Sequence, residues 1–104
     1  MRQIRGETFS HTLIELDGKH FIQCQFLQCK LVFTAYETVA FDGCVFDQCD
    51  WVFDGPAETT LKFLSALYAG LRPQGELLVE EIFNGVRSGR IGDTINLREP
   101  VIVP

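Results

Sequence analysis

The chain has 104 residues, a length that suits one domain with a single core. Fourteen acidic residues against nine basic ones give a net charge of −5, which opposes nonspecific attraction to nucleic acid or to anionic membranes. We therefore predict no nucleic-acid partner and no membrane partner. No apolar signal segment follows the basic residues at the start, so we expect a cytoplasmic protein whose four Cys are reduced.

The first patterned element is a repeat. Residues 21–33 align with residues 41–53, twenty positions later, with Phe and Cys at matching places. A period of five residues lies inside this repeat. One series holds large apolar or aromatic residues: Leu16, Phe21, Phe26, Leu31, Tyr36, Phe41, Phe46 and Trp51. A second series, two positions before the first and mostly of small or medium-sized residues, comprises Ile14, Lys19, Cys24, Cys29, Thr34, Val39, Cys44 and Cys49.

A five-residue period fits neither the 3.6-residue period of a helix nor the two-residue period of a flat strand. It fits a backbone that turns a corner every five residues, so that four sides close a square coil in twenty residues. Stacked coils would place the rings of one coil under those of the next, as with Phe21 and Phe41. An antiparallel meander is the rival prediction, because residues 16–19 form a reasonable hairpin turn signal. We favour the coil because a meander does not explain the twenty-residue repeat.

The five-residue units resemble the pentapeptide-repeat family, in which a small residue lies two places before a central Leu or Phe. The matching units are Cys24 to Gln28, Cys29 to Phe33, Thr34 to Thr38, Val39 to Gly43, Cys44 to Gln48 and Cys49 to Phe53, with weaker matches over residues 14–18 and 19–23. The resemblance implies a short right-handed quadrilateral β-helix of about two coils. The chain departs from the family because an Asp follows the small residue only at Cys49-Asp50.

After Phe53 the pattern becomes helical. A helix-start signal lies at residues 54–56, and apolar residues at spacings of three and four continue to Gly70. A second helix is predicted from about Gln74 to Arg87. The prediction is therefore a single α+β domain over residues 1–104, with coils over 14–53, a cap of two C-terminal α-helices over 54–89 and a tail over 90–104.

Two coils are too few to stand alone, because a solenoid usually needs at least three repeats and capped ends. We expect the two helices to cap the coils and one strand edge to stay open for pairing with another chain. The partner prediction is self-association as a homodimer, through stacked coil ends or through the apolar tail residues Val101, Ile102 and Val103.

The four Cys raise the alternative of a small Cys-dependent enzyme or a metal-binding protein. Their spacing lacks the short knuckle of common zinc sites, and a coil would use Cys24, Cys29, Cys44 and Cys49 as small inward residues. His20 is expected to point outward, away from Cys24. We assign no catalytic, cofactor-binding or metal-binding residue and expect no cofactor.

Acidic residues at outward positions form the candidate interaction surface: Glu37, Asp42, Asp47 and Asp50. Some longer members of the pentapeptide-repeat family are described as mimics of duplex DNA that bind topoisomerases, so the resemblance implies an acidic DNA-mimic binder as an alternative function. Two coils span only about 10 Å at about 4.8 Å per strand, too little to imitate a long duplex. The preferred prediction is a noncatalytic protein-interaction or scaffold module.

Overall fold

The structure, a computed structural model, describes residues 1–90. The chain divides into two compact units, Met1–Thr59 and Thr60–Pro104. The strands are β1 (Arg2–Arg5), β2 (Thr8–Ser10), β3 (Leu13–Glu15), β4 (Lys19–Ile22), β5 (Gln25–Leu27), β6 (Lys30–Phe33), β7 (Ala40–Asp42), β8 (Val45–Asp47) and β9 (Asp50–Phe53). The helices are α1 (Gly55–Gly70) and α2 (Gln74–Ser88), within a residue or two of the predicted bounds.

The nine strands form three parallel sheets of three strands each, with the orders β1-β4-β7, β2-β5-β8 and β3-β6-β9. Consecutive strands therefore belong to different sheets, and the chain returns to the same sheet at every third strand. We call the three strands of one such passage a rung, so that β1 to β3 form the first rung, β4 to β6 the second and β7 to β9 the third. All pairing is parallel, which excludes the antiparallel meander. The fold is α+β.

The register confirms the stacking that the repeat predicts for the second and third rungs. Phe21 pairs with Phe41 and Phe26 with Phe46, both twenty positions apart. The strands begin at Arg2, however, and make three rungs where the sequence predicted about two coils starting near residue 14. The offset between the first and second rungs is seventeen residues, as in the pairs Ile4–Phe21, Phe9–Phe26 and Ile14–Leu31. The first rung therefore lies outside the twenty-residue repeat.

The offsets differ because the connections from the third sheet back to the first differ in length. Residues 16–18 make this connection after the first rung, and residues 34–39 make it after the second. The longer connection carries Tyr36, which the five-residue series placed inward but which is 77% exposed. The prediction for Tyr36 was wrong, because these residues form a surface loop and no fourth sheet exists in residues 1–90.

The core of the sheet unit is built from rings stacked along the rungs. Phe26 lies between Phe9 and Phe46, with ring centroids 5.2 and 4.9 Å apart and interplanar angles of 17° and 5°. Phe21 stacks on Phe41 at 5.7 Å and meets Phe26 edge to face at 5.1 Å. Offset stacks and edge-to-face contacts are the favourable geometries of aromatic rings. Among the strands of residues 1–90, only those of the second rung have neighbours on both sides, and the rings of this rung are the fully buried ones.

The helical unit depends on a close approach between α1 and α2. Gly75 is buried, and a Cβ added there would lie 1.8 Å from the carbonyl oxygen of Leu67, so no larger residue fits without a shift of the backbone. Arg72 forms an ion pair with Glu76 at 2.9 Å. Helix α2 ends at Ser88 and is capped by Gly89, whose left-handed φ of 74° allows its N–H to reach the carbonyls of Gly85 and Val86.

Candidate functional site

The candidate interaction surface lies on the third rung. Strands β7, β8 and β9 are the last strands of their sheets, and no strand of residues 1–90 pairs with their outer edges. Trp51 on β9 is 50% exposed, and Phe41 and Phe46 are only partly buried. Large rings and unpaired strand edges therefore meet at the same end of the three sheets, which is the usual composition of a protein-binding surface.

The first rung ends the sheets on the opposite side. Strands β1, β2 and β3 carry Ile4, Phe9 and Ile14 toward the core, where each is only partly buried. An open depression of about 410 Å³ lies among these apolar side chains, with Arg2 and Lys19 at its margin. Spacing of five residues from Ile4 to Phe9 to Ile14 is the sequence signal for this rung, and it was missed because the offset to the second rung is not twenty.

The predicted acidic residues separate into a strand set and a loop residue. Asp42, Asp47 and Asp50 lie on the third rung, one on each sheet, and all three are exposed. Because they lie on three different sheets, they do not form a single acidic row. Glu37 lies in the loop of residues 34–39, away from the strands. The structure places three of the four predicted acidic positions on the third rung.

Two of these aspartates are placed beside basic side chains of the second rung. Asp42 accepts a hydrogen bond from Nε2 of His20, which lies on the neighbouring strand of the same sheet. Asp50 is the register partner of Lys30. His20 points outward, as the coil predicted, and its hydrogen-bond partner is Asp42 rather than a cysteine.

Asp17 is a polar residue that the sequence did not single out. Its carboxylate accepts hydrogen bonds from the N–H and the hydroxyl of Thr34, at 2.8 and 2.7 Å, and from the N–H of Glu37 at 3.1 Å. Partial burial raises the pKa of Asp17, but these hydrogen bonds together outweigh burial and hold the pKa below its usual range. Asp17 therefore fixes the loop of residues 34–39 and has a structural role.

The four cysteines lie inside the sheet unit as free thiols. Cys24 and Cys29 are buried, and Cys44 and Cys49 are partly buried. Each thiol that reaches across rungs donates to a backbone carbonyl: Cys24 to Ile4 at 3.4 Å, Cys44 to Phe21 at 3.3 Å and Cys49 to Phe26 at 3.2 Å. Within residues 1–90 no three His, Cys, Asp or Glu side chains are grouped so that they could hold a metal ion.

The remaining predicted interaction residues, Val101, Ile102 and Val103, lie outside the described residues. Among residues 1–90 neither helix has the length and apolar character needed to span a bilayer. Comparison of the chain with protein-family models, with curated proteins and with solved structures gave no significant match.

Proposed function

We propose that residues 2–53 form a short right-handed β-helix related to the pentapeptide-repeat type, with three sheets and a surface loop in place of four regular sides. Its support is the repetition of the same three sheets in three successive rungs, all parallel and in register. Connections between parallel strands are right-handed in nearly all proteins, which supports the proposed hand. In such a solenoid each rung contacts only its neighbours, so the two end rungs have strand edges and inward side chains that no neighbouring rung covers.

We propose further that the protein is a noncatalytic interaction module whose first partner is a second copy of itself, with a homodimer as the smallest assembly. The observation that carries this proposal is the half-exposed Trp51 beside Phe41 and Phe46, on three strand edges that no other strand of residues 1–90 covers. Removing apolar rings from water lowers the free energy of the system, and the unpaired N–H and C=O groups of a strand edge can form hydrogen bonds with a second strand.

The surroundings of the thiols favour this function over the Cys-dependent enzyme. A nucleophilic thiol needs access to substrate and a base within hydrogen-bond reach. Cys24, the cysteine closest in sequence to His20, is fully buried and donates to a backbone carbonyl. His20 is hydrogen-bonded to Asp42.

A dilution series tests the proposal. Trp51 is the only tryptophan, so its emission reports on the third rung alone. We expect light scattering to show self-association between low and high micromolar protein, with Trp51 emission moving to shorter wavelength as the assembly forms. A monomer at high micromolar concentration with unchanged emission would reject the proposed self-association.

Matched substitutions locate the surface. Trp51→Glu should abolish self-association, because it places a charge among the rings. Tyr36→Glu changes an aromatic side chain that is still more exposed but lies in the loop of residues 34–39, and it should leave association unchanged. Ile102→Glu tests the apolar tail. Loss of association with Ile102→Glu but not with Trp51→Glu would move the interface from the third rung to the tail.

A further inference from the structure

We propose that two copies associate head to tail, with the first rung of one copy added to the third rung of the next. This inference rests on the proposed self-association and specifies its geometry. It uses two surfaces, one at each end of the three sheets. The acidic third rung is thereby matched to a rung that carries Arg2 and Arg5 on β1 and one acidic residue, Glu15, on β3.

The backbone hydrogen bonds favour this arrangement because they repeat within the chain. The first and second rungs exchange bonds in both directions, such as Gly6 N–H to Ile22 O and Gln25 N–H to Glu7 O. The second and third rungs repeat the pattern, as in Val45 N–H to Cys24 O. The outer edges of the first and third rungs are therefore the two halves of one parallel ladder. Head-to-tail addition preserves strand direction and hydrogen-bond phase, whereas joining two like ends does not.

Continuing the register across the junction pairs apolar side chains with apolar ones. Ile4 lies opposite Phe21, which lies opposite Phe41, so Ile4 of the next copy would lie over Phe41. In the second sheet, Phe9 of the next copy would extend the stack that already contains Phe26 and Phe46. The third sheet would place Ile14 of the next copy over Trp51. The three apolar side chains at each end would all be covered.

The same register pairs opposite charges. Arg5 aligns with Ile22 and Ile22 with Asp42, so Arg5 of the next copy would lie opposite Asp42. Directly opposed residues on adjacent strands are close enough for an ion pair to form. Joining two third rungs would instead bring the aspartates of both copies to one junction, and like charges at an interface oppose association.

A head-to-tail junction is heterologous, and one junction leaves a free end on each side. Such contacts make open chains unless the rotation between copies closes a ring. We therefore expect a weight-average mass that rises with concentration beyond the dimer, rather than a plateau at two copies.

Charge exchange between Arg5 and Asp42 tests the geometry. Arg5→Asp and Asp42→Arg are each made at an exposed position, and Arg87→Asp on α2 is the control with the same charge change as Arg5→Asp. We expect each of the first two variants alone to associate at least tenfold more weakly than wild type, as measured by sedimentation velocity, because each creates a like-charged junction. An equimolar mixture should associate, since every mixed junction joins Arg to Asp. The double variant should associate for the same reason, and Arg87→Asp should behave like wild type.

The outcomes separate the two proposals. Monomeric wild-type protein would reject self-association altogether. Associated wild-type protein that Arg5→Asp leaves unchanged would show that the first rung is not in the interface and would overturn the head-to-tail geometry alone. Failure of both the mixture and the double variant to recover association would also overturn it. Circular dichroism of each variant confirms that the sheets have formed before association is scored.

Discussion

Replacing Phe26 by Ala tests the ring stack that holds the rungs together. The side chain is 0% exposed and contacts rings on both neighbouring rungs, at 5.2 Å to Phe9 and 4.9 Å to Phe46. Loss of a fully buried Phe costs about 3–5 kcal/mol in transfer and cavity free energy. A natural domain has about 5–15 kcal/mol of stability in total, so Phe26→Ala should remove a large fraction of it.

Two companion variants make the comparison specific. Tyr36→Ala should change the free energy of unfolding by less than about 0.5 kcal/mol, because an exposed loop side chain loses few contacts. Phe26→Leu keeps most of the volume but loses the ring geometry, so we expect a cost of about 1–2 kcal/mol. The loss of stability should therefore be largest for Phe26→Ala, intermediate for Phe26→Leu and smallest for Tyr36→Ala.

Urea denaturation followed by circular dichroism measures all three differences at a protein concentration low enough to keep the chains apart. Equal losses for Phe26→Ala and Tyr36→Ala would contradict the three-sheet register and restore the uninterrupted five-residue series. A small loss for Phe26→Ala with Tyr36→Ala neutral would mean that the second rung is not the centre of the core.

Two further substitutions address the loop and the helices. Asp17→Asn should cost about 1–2 kcal/mol at neutral pH, because the carboxylate bonds to Thr34 and Glu37 are weakened. Folding lowers the pKa of Asp17, so the ionised carboxylate stabilises the fold above about pH 4, and this stabilisation is lost as the pH falls through the lowered pKa. In chemical denaturation, the free energies of unfolding of wild type and Asp17→Asn should therefore converge in acid and remain different at higher pH. Gly75→Ala should destabilise the helices by about 1–3 kcal/mol in thermal melts, because its Cβ meets Leu67. Gly70→Ala, with no atom within 4 Å of the added Cβ, is the control, and an equal loss there would contradict the close approach.

The sequence pattern predicted the second and third rungs well because both obey the same packing rule at the same spacing. An inward ring must lie over an inward ring, so Phe21 and Phe41 repeat after twenty residues. The connection from the third sheet back to the first lies on the surface, where no ring has to lie over another ring, so its length can differ from one rung to the next. The connection after the first rung is three residues shorter than the one after the second, so the offset between the first two rungs is seventeen residues and not twenty. For this reason the twenty-residue pattern placed Ile14 in the series of smaller residues, although it pairs with the large inward residue Leu31.

The sequence predicted which side chains point outward, but not which residues lie beside them. Exposed acids on the third rung follow from alternation along each strand. Their neighbours depend on register, which joins residues about twenty positions apart, as in the pair of His20 and Asp42. Asp17 was read as part of a turn, and its function as an anchor for Thr34 depends on a loop conformation that no periodicity encodes.

The strength of self-association follows from how few rings the end rungs expose. A tryptophan presents about 250 Å², so covering the exposed half of Trp51 gains about 3 kcal/mol at about 25 cal/mol per Å². Loss of translational and rotational freedom costs at least about 4 kcal/mol, which Trp51 alone does not offset. All three sheets must therefore contribute at once, through their rings and ladder hydrogen bonds. An interface built from so few rings is expected to be weak. It is also sensitive to a single charge, so one reversal at Arg5 or Asp42 suffices to test it.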